Sequence, residues 1–132
     1  MILVDSSVWI DFFSGSPGAA GKELHRLIDE SEPVALAGVV ITEVLQGLLR
    51  DSATIERYLS MWDLLEPRGF ATYRHAAAIF RRGRAKGLCL TTMDSLIVAI
   101  ALEHGASVFS LDKDFRLISR VTNLSLHSLA TF

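Results

Sequence analysis

The stretch from residue 2 to residue 13 reads ILVDSSVWIDFF, and it predicts the class of fold. Ile2, Leu3 and Val4 form a short apolar run rich in β-branched residues, which is typical of a strand buried on both faces. The run ends at Asp5 and two serines, residue types that favour the beginning of a helix. We therefore expect a buried strand that leads directly into a helix, with Asp5 at the carboxyl end of the strand.

The same alternation of strand and helix continues along the chain. Short apolar runs predict further strands at residues 33–37, 64–67 and 107–109, and helical spacing predicts helices at residues 22–30, 39–49, 52–62, 72–86 and 93–104. Ser52 is expected to cap one of these helices, and Thr91 or Thr92 another. Because short apolar strands that alternate with helices form covered parallel sheets, we predict an α/β fold, a three-layer sandwich with helices on both faces of a central parallel sheet. No repeat or linker interrupts the pattern, so residues 1–132 are expected to form a single domain.

The composition limits the classes of protein that the chain can belong to. Half of its 132 residues are apolar, which is enough for a core, and the net charge of -2 argues against a uniformly basic protein that coats nucleic acid. Cys89 is the only cysteine, so an internal disulfide is excluded, and we expect a buried thiol in a reducing compartment. The apolar runs are far shorter than the roughly 20 residues of a membrane span, and the amino terminus lacks the pattern of a signal peptide. We therefore expect a cytoplasmic protein without a membrane partner.

Four acidic residues lie either at predicted strand ends, where carboxylates would come together, or in apolar segments, where burying a charge is unfavourable. Asp5 and Asp112 each follow a predicted strand, and open α/β sheets bind ligands at the carboxyl ends of their strands. Glu43 and Asp94 lie in apolar helical segments, where an unpaired charge is unfavourable. A hard divalent cation would compensate such acids, because magnesium and manganese bind through a few carboxylates, water and substrate phosphate. The pattern therefore favours a metal site for phosphodiester hydrolysis.

A simpler interpretation exists for each acid considered alone. An aspartate at the beginning of a helix is a favoured cap that the helix dipole stabilises, which would explain Asp5, Asp94 and Asp112. A buried Glu43 could instead pair with an arginine or a lysine. Only the coincidence of four such residues favours the metal site.

Three segments of the chain resemble the successive motifs of the PIN-domain family. They are LVDSSVWI at residues 3–10, ITEVLQG at residues 41–47, and DSLIVAIALEHG at residues 94–105, which runs on to SLDKDF at residues 110–115. Their order and spacing cover nearly the whole chain and are most similar to the VapC-type toxins of prokaryotic toxin–antitoxin pairs. The resemblance implies the PIN-like form of the three-layer sandwich.

The resemblance also implies roles for particular residues. The family's catalytic, metal-binding acids fall on Asp5, Glu43, Asp94 and Asp112, with Asp114 as a further acid near the metal. Auxiliary hydroxyl groups fall on Ser7 and Ser110, although the family usually has threonine at the second position.

The activity that the resemblance implies is that of an endoribonuclease that depends on Mg²⁺ or Mn²⁺. Its RNA substrate would be tRNA or rRNA, and the protein would be a homodimer that a cognate VapB-type antitoxin inhibits. Two alternatives stay open on the residues alone, namely a catalytically silent PIN-like interaction module and a housekeeping RNA-processing PIN nuclease. A magnesium phosphatase of the haloacid dehalogenase type is disfavoured, because residues 5–7 read DSS and lack the second aspartate that such enzymes carry.

The concentrated basic run near the end of the predicted helix 72–86 has two interpretations. Its cations could contact RNA phosphates, or they could simply complement the helix dipole at a solvated end. Arg116 and Arg120 are ambiguous in the same way. The candidate RNA-binding residues of the run are Arg81, Arg82, Arg84 and Lys86.

For two other groups of side chains, the sequence gives no reason to expect a role in binding or catalysis. Trp9, Phe12 and Phe13 are expected to pack within the protein and not to stack on bases, because apolar residues at helical spacing usually form a core. The four histidines are scattered without the spacing of zinc ligands, which disfavours a zinc site.

Overall fold

The computed structural model describes residues 1–129, and its centre is a sheet of four parallel strands. The strands are β1 (Ile2–Val4), β2 (Val34–Ala37), β3 (Asp63–Leu65) and β4 (Ser107–Phe109), in the order β3-β2-β1-β4. The helices are α1 (Ser6–Phe13), α2 (Ala19–Asp29), α3 (Gly38–Gly47), α4 (Ser52–Leu59), α5 (Phe70–Ala85), α6 (Thr92–Glu103) and α7 (Lys113–Ile118).

The predicted α/β sandwich is confirmed. Every residue of β1 and β2 is buried, as expected of strands that are covered on both faces. The helices contact one another in separate groups, with α1 against α2 and α3, and α5 against α6. Strand β1 lies between β2 and β4, so the residue that follows it emerges in the middle of the sheet edge.

An aromatic cluster closes one side of the core. Trp9 is fully buried on α1, and the rings of Phe12, Phe13, Tyr58 and Trp62 surround it with centroid separations from 5.1 to 6.3 Å within the cluster. Aromatic pairs at such separations stabilise a core beyond the area that they bury. The prediction that the aromatic residues of α1 serve packing is confirmed.

Helix α2 begins earlier than its sequence pattern indicated, because of a contact outside the helix. The Asp11 carboxylate accepts hydrogen bonds from the backbone N–H groups of Gly18, at 3.0 Å, and of Gly21, at 2.7 Å. These bonds satisfy N–H groups that the beginning of a helix leaves without partners. The helix therefore begins at Ala19 and not at residue 22.

Two other predictions about local structure are wrong. Ser52 does not cap α4, because Asp51 occupies the capping position with a left-handed backbone (φ 56°) and Ser52 is already helical. Cys89 is exposed, since the apolar side chains of its neighbours, Leu88 and Leu90, turn toward the core instead. The expected cap of α6 is confirmed at Thr91, whose hydroxyl accepts a hydrogen bond from the Asp94 N–H.

No helix within residues 1–129 combines the length and the apolar character that crossing a bilayer requires.

Candidate metal centre

The carboxyl ends of β1 and β4 lie side by side at one edge of the sheet. Val4 pairs with Phe109, and the Asp5 N–H donates a hydrogen bond to the Phe109 carbonyl at 2.9 Å. Ser110 and Asp112 follow β4 directly, so they emerge beside Asp5 although more than a hundred residues separate them in sequence. The topology therefore brings together the acids that were predicted to follow strands.

Asp5 is buried, and hydroxyl groups fix its carboxylate. Its Oδ2 accepts hydrogen bonds from Ser110 Oγ at 2.7 Å and from Ser7 Oγ at 3.4 Å. Those hydroxyls in turn accept from the backbone, Ser110 from the Asp112 N–H at 3.0 Å and Ser7 from the Leu111 N–H at 3.1 Å. Asp5 occupies the capping position of α1 without a capping hydrogen bond, so a role as a helix cap does not explain its side chain.

Asp94, Asp112 and Asp114 form the tightest group of carboxylates. One oxygen from each lies within 4.8 Å of the other two. Asp94 sits in the first turn of α6, where Thr91 is the cap, so Asp94 itself is not one. Asp112 does cap α7, because its carboxylate accepts a hydrogen bond from the Asp114 N–H at 2.9 Å. This residue is therefore both a helix cap and a member of the cluster.

Glu43 lies on α3, and one of its carboxylate oxygens lacks a hydrogen bond. Its Oε1 is buried and has no hydrogen-bond partner among the described residues. Burial raises the pKa of Glu43, and the nearby charges of Asp5 and Asp94 raise it further, while the Ser6 hydroxyl lowers it. A buried oxygen without a hydrogen-bond partner is energetically costly, so this carboxyl group is suited to bind a cation.

The pKa of Asp94 is raised for similar reasons. Burial raises its pKa, the hydrogen bonds from Thr91 oppose that effect, and the charges of Asp112 and Asp5 raise the pKa further. The carboxylates of the site thus repel one another, and none of the ion pairs found within residues 1–129 involves them. A divalent cation would remove that repulsion, and an all-oxygen donor set suits magnesium or manganese. The residues present therefore fit the expected metal.

The basic run near the end of α5 forms no ion pair with these acids in the described part of the chain. Arg81, Arg84 and Lys86 are exposed. Arg82 donates a hydrogen bond of 3.4 Å to the Val121 carbonyl and lines a cavity near the beginning of β4, at the opposite end of the strands from the acids. Their part in RNA binding stays a prediction.

Three further side chains lie near the acids, and of these the sequence suggested a role only for Arg116, as an ambiguous RNA-contacting cation. Lys113, Arg116 and His127 line a cavity that Ser110 and Asp112 also line. Arg116 could be singled out as a candidate cation, and Lys113 could be found from its place between two of the acids. Nothing near His127 in sequence indicates that it would reach this edge of the sheet.

Comparison with known proteins identifies the family. The chain matches the PIN domain family over residues 2–121. It is 35% identical over 132 residues to ribonuclease VapC11 of Mycobacterium tuberculosis, and the alignment covers 97% of this chain and 98% of the relative.

Solved structures share the fold at lower sequence identity. The VapBC2 structure from Rickettsia felis, bound to a DNA fragment from its promoter, has a TM-score of 0.74 at 17% identity and covers 96% of this chain and 98% of its own. VapC20 of Mycobacterium tuberculosis, described as a toxin that cleaves the sarcin–ricin loop, has a TM-score of 0.72 at 17% identity, with coverages of 95% and 99%. Together with the identity to VapC11, the match over residues 2–121 establishes that this chain belongs to the PIN-domain family, among its VapC ribonucleases.

Proposed function

We propose that the chain, as a single domain over residues 1–132, is a metal-dependent endoribonuclease and the toxin of a VapBC-type toxin–antitoxin pair. The observation that carries this proposal is the convergence of three carboxylate oxygens within 4.8 Å of one another in a PIN fold, with no ion pair from these acids to any side chain of residues 1–129. The residues that would hold Mg²⁺ or Mn²⁺ are Asp5, Glu43, Asp94, Asp112 and Asp114.

Some of these residues would bind the ion, and neighbouring hydroxyl groups would orient its ligands. A divalent cation supplies Lewis acidity to an attacking water and neutralises the charge that builds on phosphate oxygens. Asp94, Asp112 and Asp114 provide the close set of ligand oxygens. Ser110 and Ser7 hold the Asp5 carboxylate in one orientation through their hydroxyl groups. Such supporting hydrogen bonds tune a metal site, because they fix the rotamer and basicity of the ligand.

The relatives support the choice of substrate and partner. VapC11 is named as a ribonuclease, and the VapC20 neighbour is described as cleaving the sarcin–ricin loop, which favours structured rRNA or tRNA as the substrate class. The VapBC2 neighbour supports a VapB-type antitoxin as the inhibitor. A homodimer would cover exposed apolar side chains such as Phe70 and Tyr73, which lie about one turn apart on α5. We place the reaction in the cytoplasm, where such RNA is found.

The test compares RNA cleavage by the purified protein with cleavage by two charge-neutralised variants. We expect cleavage of tRNA or rRNA with Mn²⁺ or Mg²⁺, its loss in EDTA, and its loss in Asp5→Asn and Asp94→Asn variants that remain folded by circular dichroism. Asp63→Asn is the matched control, because Asp63 is an exposed aspartate of β3 outside the cluster. Undiminished cleavage by both cluster variants, or cleavage that EDTA does not affect, would contradict the proposal.

A further inference from the structure

A cavity of about 430 Å³ opens beside the acidic cluster, between β4, α7 and residues 126–129. Apolar side chains make up much of its wall, among them Phe109, Phe115 and Leu126. Ser110 and Asp112 belong both to this wall and to the candidate metal centre. The cavity therefore continues directly from the place where a scissile phosphate would lie.

Positive charge lines the same cavity. Lys113 and Arg116 are among its lining residues, and neither has an ion-pair partner within residues 1–129. Lys113 lies between Asp112 and Asp114 in sequence, so a cation accompanies the acids at the mouth of the cavity. A polyanionic substrate that must approach a group of carboxylates needs positive charge close by, and phosphate contacts supply much of the affinity of proteins for nucleic acids.

His127 completes the wall, and its ring is held in place. Its Nε2 lies 2.7 Å from the Glu23 Oε2, and the Glu23 carboxylate also accepts from Arg26 Nε at 2.6 Å and from its second terminal nitrogen at 2.8 Å. The imidazole packs edge-on against Phe109, with centroids 5.0 Å apart. The His127 N–H donates to the Val108 carbonyl at 2.9 Å, so the backbone is fixed as well. A preorganised polar group beside apolar side chains is typical of a ligand pocket.

We infer that this cavity binds the nucleotide adjacent to the cleaved phosphate. The base lies between the apolar walls, where Phe109 and Leu126 exclude water, and the His127 Nδ1, which Glu23 leaves free, hydrogen-bonds its edge. Arg116 and Lys113 contact the phosphate of that nucleotide. The inference rests on the proposed function for its substrate class, but the cavity would bind a ribonucleotide whether or not the acids perform catalysis.

The first experiment measures binding without catalysis. The four ribonucleoside 5′-monophosphates are titrated in EDTA against ¹⁵N-labelled protein, and amide shifts are followed by NMR. We expect saturable shifts at Val108, Phe109 and Leu126, with one base preferred, and at least tenfold weaker binding to an Arg116→Ala variant. Arg57→Ala is the matched control, because it removes the same charge from an exposed residue of α4 that does not line the cavity.

The second experiment measures cleavage of RNA with Mn²⁺ by the same variants. Arg116→Ala should raise KM about tenfold with a smaller change in kcat, and His127→Ala should alter the preferred base beside the cut. The control Arg57→Ala should behave like the unmodified protein. If no nucleotide binds in EDTA and Arg116→Ala cleaves RNA as well as Arg57→Ala does, the inference is overturned and the proposed function stays intact. Nucleotide binding at the cavity without any cleavage would support the inference and remove the proposed function.

Discussion

Replacing Asp94 with asparagine should make the metal-free protein more stable. One oxygen of the Asp94 carboxylate lies within 4.8 Å of oxygens of Asp112 and Asp114. Burial raises the pKa of Asp94, and the charges of Asp112 and Asp5 raise it further. Asparagine has nearly the same shape, and the backbone N–H of residue 94 still donates to the Thr91 hydroxyl at 3.0 Å. The substitution therefore removes a repelling charge and little else.

The size of the effect follows from Coulomb's law at 4.8 Å, the upper limit of the separations among these oxygens. Two unit charges about 4.8 Å apart repel by roughly 1 kcal/mol in water and by roughly 3 kcal/mol at an effective dielectric constant of about 20. Asp112 is exposed, so the lower value applies. For a domain of this size, a gain of about 1 kcal/mol raises the unfolding midpoint by roughly 3–4 °C.

The assay is thermal unfolding in EDTA at neutral pH, repeated at falling pH. A raised pKa in the folded state means that the repulsion destabilises the protein above that pKa and disappears below the ordinary pKa of an aspartate, about 3.9. The advantage of Asp94→Asn should therefore vanish as the pH falls. Asp63→Asn, outside the cluster, should change the free energy of unfolding by less than about 0.5 kcal/mol at any pH.

Addition of Mn²⁺ should reverse the order of stability. The unmodified protein gains stability from metal that binds only its folded state, whereas Asp94→Asn has lost a ligand and gains much less. A variant that is less stable than the unmodified protein in EDTA, or that gains equally from Mn²⁺, would refute the electrostatic account of the cluster.

Three further substitutions test other parts of the structure. Ser110→Ala removes the 2.7 Å hydrogen bond to Asp5, so Mn²⁺ affinity measured by calorimetry should fall by about tenfold while the protein stays folded. Hydrogen bonds from Arg26 are the main reason that the pKa of Glu23 is lowered to about 2. Glu23→Gln should therefore lower the free energy of unfolding in urea by about 1–2 kcal/mol at neutral pH, and this difference should vanish as the pH falls from about 4.5 toward 2. Gly21→Ala would place its Cβ 3.0 Å from a backbone nitrogen of α1, so it should destabilise the protein by about 1–3 kcal/mol in the same assay.

Each of these substitutions has a matched control. Ser60→Ala removes a serine hydroxyl that bonds only to its own helix, and it should leave Mn²⁺ affinity unchanged. Glu56→Gln changes an exposed glutamate of α4 and should show no comparable pH dependence. Gly38→Ala meets open space at the beginning of α3 and should be neutral or stabilising by up to about 1 kcal/mol. Equal effects in a substitution and its control would show that the named contact does not contribute.

The positions of Asp5 and Asp112 could be predicted because both follow short apolar strands. Parallel strands end at the same edge of a sheet, so strand ends far apart in sequence meet there once the order of the strands allows it. The neighbouring positions of β1 and β4 satisfy that condition. Glu43 and Asp94 were identifiable for a different reason, since each interrupts an apolar helical segment.

Contacts over long sequence distances account for what could not be predicted. The beginning of α2 depends on Asp11, which binds N–H groups seven and ten residues further along. The pairing of Glu23 with His127 joins residues 104 positions apart and leaves no local pattern in either segment. Cys89 is of a residue type that is usually buried, yet the loop turns its neighbours inward instead.

Anomalous diffraction from crystals soaked in Mn²⁺ tests directly whether these separate carboxylates share one or more divalent cations. We expect a manganese peak within bonding distance of Asp94 and Asp112, on the side of the cluster that faces Asp5 and Glu43. A structure in which manganese binds elsewhere, or in which the cluster stays metal-free at saturating Mn²⁺, would contradict the proposed metal site.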